Sequence, residues 1–328
     1  MKPTDFARHL TEFLAAYLPG QQGASKNTII SYRDTFSLFL HFCKTDKGMR
    51  IERFELVQFK RKLIEEFLTW LEQERNNSIS TRNQRLAAIH AFARFLQIED
   101  TANIMDWQLI LAIGFKKLQK PQINYLTADE LRGILSKPNL RTSTGRRDLL
   151  LINMLYDTGA RVSEIIDMKV RNVRIDGVLI ANLHGKGNKM RQVPLMPKTA
   201  ELLQNYLLEN KLDSIAMIDH PLFFNSQRRK LTRPGVTYIL QKYTDGEKIT
   251  PHILRHTKAM HLLQAGVNLL YIRDILGHVD ISTTETYVRA DTEMKRKALE
   301  NVYDDLTPSA VPAWDTDEGL MGWLRSLV

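Results

Sequence analysis

The 328-residue chain holds a single cysteine, Cys43. One thiol cannot close an intramolecular disulfide, so a reducing compartment suits the chain. Inside SLFLHFCK it reads as a small core residue. No apolar run is long enough to span a bilayer, and MKPTDFARHL lacks the apolar stretch of a signal peptide. The expectation is a soluble cytoplasmic protein with no membrane partner. The GxxxxGK[ST] phosphate loop, the dinucleotide fingerprint and HExxH are all missing, and no cluster of acidic metal ligands stands out. No ATP, no cofactor and no metal are therefore expected. Internal repeats and low-complexity tracts are absent too.

What the chain has is positive charge. The formal net charge is +9, which favours a polyanionic partner. The excess is uneven. Residues 1–120 carry 18 Lys/Arg against 13 Asp/Glu, residues 121–290 carry 24 against 16, and residues 291–328 reverse to 4 against 8. A basic body and an acidic tail predict different partners.

The length suits two domains. In the first, apolar spacing predicts helices over Thr28–Cys43 (capped by Ser25 or Asn27), over Glu55–Arg75, from Ser80 through STRNQRLAAIHAFARFLQI, and over Ala102–Ile113. The polar, basic stretch KKLQKPQINYLT contains the linker, residues 119–126. Beyond it Thr127 and Glu130 form a capping-box signature. Helices follow at Arg146–Tyr156 and Arg161–Met168, separated by Thr158-Gly159. Strand-like VRIDGVLIANL and MRQVPLM flank the turn HGKGNK. Further helices are predicted at Thr199–Asn210, Pro234–Tyr243, from Pro251 (capped by Thr250) to Gly266, and Asn268–Leu276. Ser282 and Glu285 make a second capping box, placing Tyr287 in the first turns of a last helix. The fold class is mainly α with a small antiparallel β-sheet: a helical bundle followed by an α+β domain.

Six side chains carry chemistry. An in-line displacement at a phosphodiester builds negative charge on equatorial oxygens, so it needs preorganised cations. Arg161 in TGARVSE and Arg255 in TPHILRH offer planar forks for two oxygens. His252 shares a helix face with Arg255 in a first turn, near unpaired amides, and can carry a proton at neutral pH. Lys186 sits in the tight turn HGKGNK and can protonate a leaving oxygen, with Lys189 its rival in the same turn. His278 in LGHVD can hydrogen-bond a phosphate oxygen. Tyr287 in STTETY supplies a phenol, which needs a base or cationic site to attack. Each residue alone reads as a surface, capping or core side chain. The spacing of His256 and His261 does not match a zinc helix, and both read as structural.

These motifs resemble the tyrosine recombinase (phage integrase) family. TGARVSEIIDM is similar to its first arginine box, HGKGNKMRQVPL to its hairpin lysine, TPHILRHTKAMHLLQAG to its HxxR box, and LGHVDISTTETYVRA to its third histidine and nucleophile. The resemblance implies Tyr287 as nucleophile, Lys186 as general acid and His252 as general base. Arg161, Arg255 and His278 would then hold the phosphate, and Glu164 would be a supporting carboxylate. Residues 1–118 resemble the family's SAM-like core-binding domain, and 127–305 its catalytic domain. The two would form a clamp on duplex DNA, with Thr81, Arg82, Asn83 and Arg85 as candidate DNA contacts.

In residues 306–328, acidic WDTDEG precedes LMGWLRSLV, with Leu320, Trp323, Leu324 and Leu327 on one face. A segment so short must dock, on its own domain or on a neighbour, to stay folded. By the same resemblance it would pass to a neighbouring subunit in a tetramer on two DNA sites, in a bacterial cytoplasm, at the nucleoid. No separate arm-binding domain is visible, which implies a simple recombination site. The implied activity is site-specific recombination through a 3′-phosphotyrosine, in integration or excision of a mobile element or in dimer resolution. A type IB topoisomerase, or a non-catalytic DNA-binding regulator on the same scaffold, is the alternative.

Overall fold

The structure is a computed structural model describing residues 3–118, 123–174, 179–185, 189–278, 282–290 and 318–326. It divides into two compact units, Met1–Pro121 and Gln122–Val328. The described residues are mainly helical, with one three-stranded antiparallel sheet among them. Among the described residues no helix is long and apolar enough to cross a membrane.

The first unit contains α1 (Asp5–Glu12), a π-helical continuation over Phe13–Gln21, α2 (Lys26–Thr45), α3 (Arg61–Gln73), α4 (Ile79–Glu99) and α5 (Ile104–Leu111). Ser25 caps α2 by accepting from the Thr28 amide. α4 starts earlier than the sequence reading because Ser78 caps it, accepting from the Thr81 amide. The helix expected over Glu55–Arg75 is shorter: two 3₁₀ turns occupy Ile51–Arg53 and Leu56–Gln58. They turn Phe54 and Phe59 inward. Phe92 of α4 lies at the centre of the core, its ring 5.1 to 6.1 Å from those of Phe6, Phe13, Phe36, Phe59 and Phe95. Cys43 is buried in the same core, and burial pushes its thiol up to about 12.

The same unit places the candidate DNA contacts of α4. Arg82 is buried, its guanidinium donating to the Gly114 carbonyl at 3.1 Å. Asn83 bonds the backbone of Lys116, and Arg85 donates to the Ser31 carbonyl and to Thr35 Oγ1. Thr81 is half-buried beside Ser78. Arg82, Asn83 and Arg85 tie α4 to other segments of its own unit, and Thr81 contacts the helix cap.

The second unit contains α6 (Ala128–Ser136), α7 (Ser143–Thr158), α8 (Val162–Asp167), β1 (Val173–Arg174), β2 (Ile180–His184), β3 (Met190–Pro194), α9 (Pro197–Glu209), α10 (Arg233–Gln241), α11 (Pro251–Gln264), α12 (Leu269–Leu276) and α13 (Ser282–Ala290). The box at Thr127 forms: Thr127 N–H donates to Glu130 Oε2 and Glu130 N–H to Thr127 Oγ1. The side chain of Ser282, the second expected cap, lies outside the described residues. The stretch VRIDGVLIANL is itself folded back, so β1 pairs with β2 and β2 with β3, with His184 opposite Met190. Gly159 ends α7 at φ 56°, and an added Cβ would meet Leu276 Cδ2 at 2.7 Å. That position needs glycine for its left-handed backbone and for the close approach of α12. The tail forms α14 (Glu318–Arg325), with Trp323 and Leu324 exposed; Leu327 and the side chain of Leu320 lie outside the described residues.

Candidate active site

The site is assembled around the C-terminus of α12. That helix ends in a Schellman motif: Gly277, at φ 64°, sends its N–H to the Asp274 carbonyl, and His278 N–H reaches the Arg273 carbonyl. The next three carbonyls each accept from an arginine. Arg191 Nε donates to Ile275 O at 2.8 Å, Arg255 Nη2 to Leu276 O at 2.7 Å, and Arg161 Nη2 to Gly277 O at 3.3 Å. The helix end carries partial negative charge and unpaired carbonyls, which is why three like charges can gather there.

Glu164 neutralises part of this cluster. It is buried and receives both ends of Arg191, Nη1 on Oε1 at 3.0 Å and Nη2 on Oε2 at 2.7 Å. Arg161 adds its own N–H and Nη1, at 2.8 and 3.0 Å. Burial alone would raise the carboxyl; the Arg191 bonds and charge, with those of Arg161, hold it below the usual carboxylate range. Arg255 is buried and also donates to Gly159 O at 2.6 Å. Burial, then repulsion from Arg161 and Arg191, lowers it to about 10, so it stays charged at neutral pH.

Tyr287, on α13, is buried beside this cluster. Its ring lies parallel to that of His278, 6.3 Å away, and His278 Nδ1 is 2.9 Å from Thr284 Oγ1. The phenol oxygen is 2.9 Å from His256 Nδ1, and the His256 ring stacks on that of His252 at 5.5 Å. Burial raises the phenol above its usual value, while the Arg255 and Arg161 charges pull it down. Lost hydration, then the arginine charges, push His278 to about 4. Burial, then His252 and Arg255, does the same to His256. His252 is exposed at the site's edge; partial desolvation of its ring, then Arg255 and Arg161, keep it below the usual histidine value.

Five of the six residues singled out, Arg161, His252, Arg255, His278 and Tyr287, thus converge. The sixth, Lys186, lies outside the described residues. Of the residues beside it, Gly185 N–H donates to Lys189 O at 2.8 Å, and Lys189 is exposed. A Cβ on Gly185 would stand 3.4 Å from Glu164 Oε1, so the base of the hairpin adjoins the cluster. His261 has a structural environment: its Nε2–H donates to Leu126 O, leaving Nδ1 to accept from Tyr156 Oη. His256, read from the sequence as structural, instead touches Tyr287. Arg191 was read only as part of a strand. Its signal was the strand period, which puts it on the same face as buried Val193.

The sequence profile of the Phage integrase family matches residues 124–294, and that of the Phage integrase N-terminal SAM-like domain matches residues 10–100. The chain belongs to the phage integrase family. Like the other tyrosine recombinases of that family, it is a site-specific recombinase. It is 34% identical to the putative integrase/recombinase y4rC of Sinorhizobium fredii, over 99% of both chains. It is 29% identical to the tyrosine recombinase XerC of Thermodesulfovibrio yellowstonii, over 92% of this chain and 96% of that one. Among solved structures, the XerH recombinase in its post-cleavage complex with difH superposes with a TM-score of 0.67 at 21% identity, covering 85% of this chain and 81% of that one. The Tn1549 transposon integrase with circular intermediate DNA gives 0.64 at 19%, covering 90% and 99%. These two structures share the fold described above.

Proposed function

We propose that this recombinase cleaves and rejoins duplex DNA through a covalent 3′-phosphotyrosine on Tyr287. The observation that carries the reading is the gathering of Arg161 and Arg255 on adjacent carbonyls beside the Tyr287 phenol. Two guanidinium forks fixed in advance suit the equatorial oxygens of a phosphodiester under attack. His278 completes the phosphate cradle. As Tyr287 Oη bonds to phosphorus, the P–O5′ bond breaks. The phenol proton passes to His252, and the leaving 5′ oxygen takes a proton from Lys186. The ester conserves the bond energy, so the reverse step reseals DNA without ATP. Glu164 holds Arg161 in place, and exposed Lys189 contacts the DNA backbone at the hairpin.

The setting we infer is a bacterial cytoplasm, in movement of a mobile element or resolution of chromosome or plasmid dimers. The names of the relatives, integrases and Xer recombinases, support it. The tail helix, with Trp323 and Leu324 exposed, passes to a neighbouring subunit in a tetramer on two sites. The deciding experiment traps the protein on genomic DNA, sequences the attached strands, and rebuilds them as a nicked duplex. A covalent adduct that survives denaturation is expected from the native chain and none from Tyr287→Phe. An adduct of equal yield from Tyr287→Phe refutes the nucleophile assignment.

A further inference from the structure

His252 is the base that the family resemblance implies, but the phenol oxygen's partner on α11 is its neighbour one turn on. His256 Nδ1 stands 2.9 Å from Tyr287 Oη, with the two rings 5.6 Å apart and tilted by 60°. We propose that His256 is a positioning residue for the nucleophile: a neutral imidazole whose Nδ1 accepts the Tyr287 hydrogen bond and fixes the oxygen beside the phosphate cradle. This rests on the reading of Tyr287 as nucleophile.

Four observations carry it. Tyr287 is 3% exposed, so its hydroxyl has little access to water and needs a partner inside the protein. The surroundings are cationic, with Arg255 and Arg161 the charges felt at the phenol. Among such neighbours a neutral imidazole accepts without adding charge. His256 is itself held on both sides, its ring stacked 5.5 Å from His252 at 23° and tilted against Tyr287. His278 lies nearly parallel to the phenol ring, the two planes 9° apart. The tyrosine ring is thus fixed by one histidine and its oxygen by another. The shifts agree: His256 at about 4 is unprotonated across the neutral range, and until DNA is attacked a raised phenol keeps the proton it donates.

The geometry also says what should replace His256. Asparagine places an amide oxygen near the position of Nδ1 and keeps the acceptor; phenylalanine fills the space and removes it. Positioning errors of this kind cost about tenfold to a hundredfold in rate. With the nicked duplex recovered from wild-type adducts, His256→Phe is expected to slow single-turnover adduct formation by about that factor while DNA retention stays unchanged. His256→Asn is expected to restore most of the rate. A wild-type rate in His256→Phe overturns the proposal, as does His256→Asn being as slow as His256→Phe. Nitrogen-15 NMR of the wild-type imidazoles tests it without any variant: Nδ1 of His256 is expected to be unprotonated at pH 7, and a proton there overturns it. Adduct formation by Tyr287→Phe would instead sink the underlying nucleophile reading.

Discussion

Arg161 and Arg255, 94 positions apart in sequence, donate to adjacent carbonyls, Gly277 and Leu276. Their difference in burial separates two effects of removing them. Arg161 keeps about a third of its side chain exposed, whereas Arg255 is 2% exposed and bonds two carbonyls. Either alanine variant is expected to lower cleavage by about 10²–10³-fold while sparing DNA binding. Only Arg255→Ala should also lower the melting temperature strongly, because it leaves two buried carbonyls without a donor. Adduct assays and thermal melts on both variants check this. Normal cleavage by either removes that arginine from the phosphate cradle.

The bidentate pair of Arg191 with Glu164 is inside the protein, 11% and 2% exposed at the side chains. Removing one partner of a buried pair costs about 3–5 kcal/mol, and Arg191→Met would leave Glu164 to Arg161 alone. Arg191→Met alone is expected to be severely destabilised, and adding Glu164→Gln should recover part of the loss. Chemical denaturation of the two singles and the double gives the coupling energy. Additive losses would mean the pair does not hold the cluster.

Gly277→Ala attacks the same junction from the backbone. Its φ of 64° and a Cβ that would meet Arg191 Nη1 at 2.9 Å leave no room for a methyl group. A loss of about 1–3 kcal/mol is expected, together with slower cleavage, since Arg191 and Arg161 must both shift. Melting curves and single-turnover cleavage test the two effects separately.

Stability should also depend on pH. His256 and His278 titrate near 4 in the folded chain, against about 6.5 when unfolded. Between those values the unfolded chain binds protons that the folded chain does not. Stability is therefore full above about pH 6.5 and falls as the pH drops toward 4. His90, His252 and His261 are lowered too and act in the same direction. Each kcal/mol lost lowers the melting temperature by about 2–4 °C in a unit the size of Gln122–Val328, which holds both histidines. Melts at pH 7, 6 and 5 that coincide would contradict the neutral imidazoles.

The exposed Trp323 and Leu324 make a separate prediction for the proposed subunit exchange. Deleting residues 315–328 is expected to weaken pairing of two DNA sites more than binding of one. Native gels with one and two labelled duplexes measure both, and unchanged pairing would dismiss the exchange.

Much of the fold was legible because local signals are short-range. Ser25, Thr127, Thr250 and Gly277 ended or began their helices where capping chemistry requires it. The limits of that reading show in α4. Arg82 lies four and seven positions before Leu86 and Ile89, on the buried face, so it turns inward instead of standing free. Arg191 hid for a similar reason: one cation in a short strand looks solvated until the strand's inner face is known. His256 looked like a neighbour of the motif because its partner, Tyr287, is 31 positions away.

By itself the sequence determined the helical architecture and the basic character, and it singled out the side chains proposed to act on a phosphate, since composition, periodicity and capping are local properties. Tertiary structure alone decided which of them meet. Three arginines share one helix end because α12 stops there with unpaired carbonyls, and the Tyr287 phenol faces His256 because α11 and α13 pack side by side. Such encounters depend on distances between elements far apart in the chain, which no local pattern encodes.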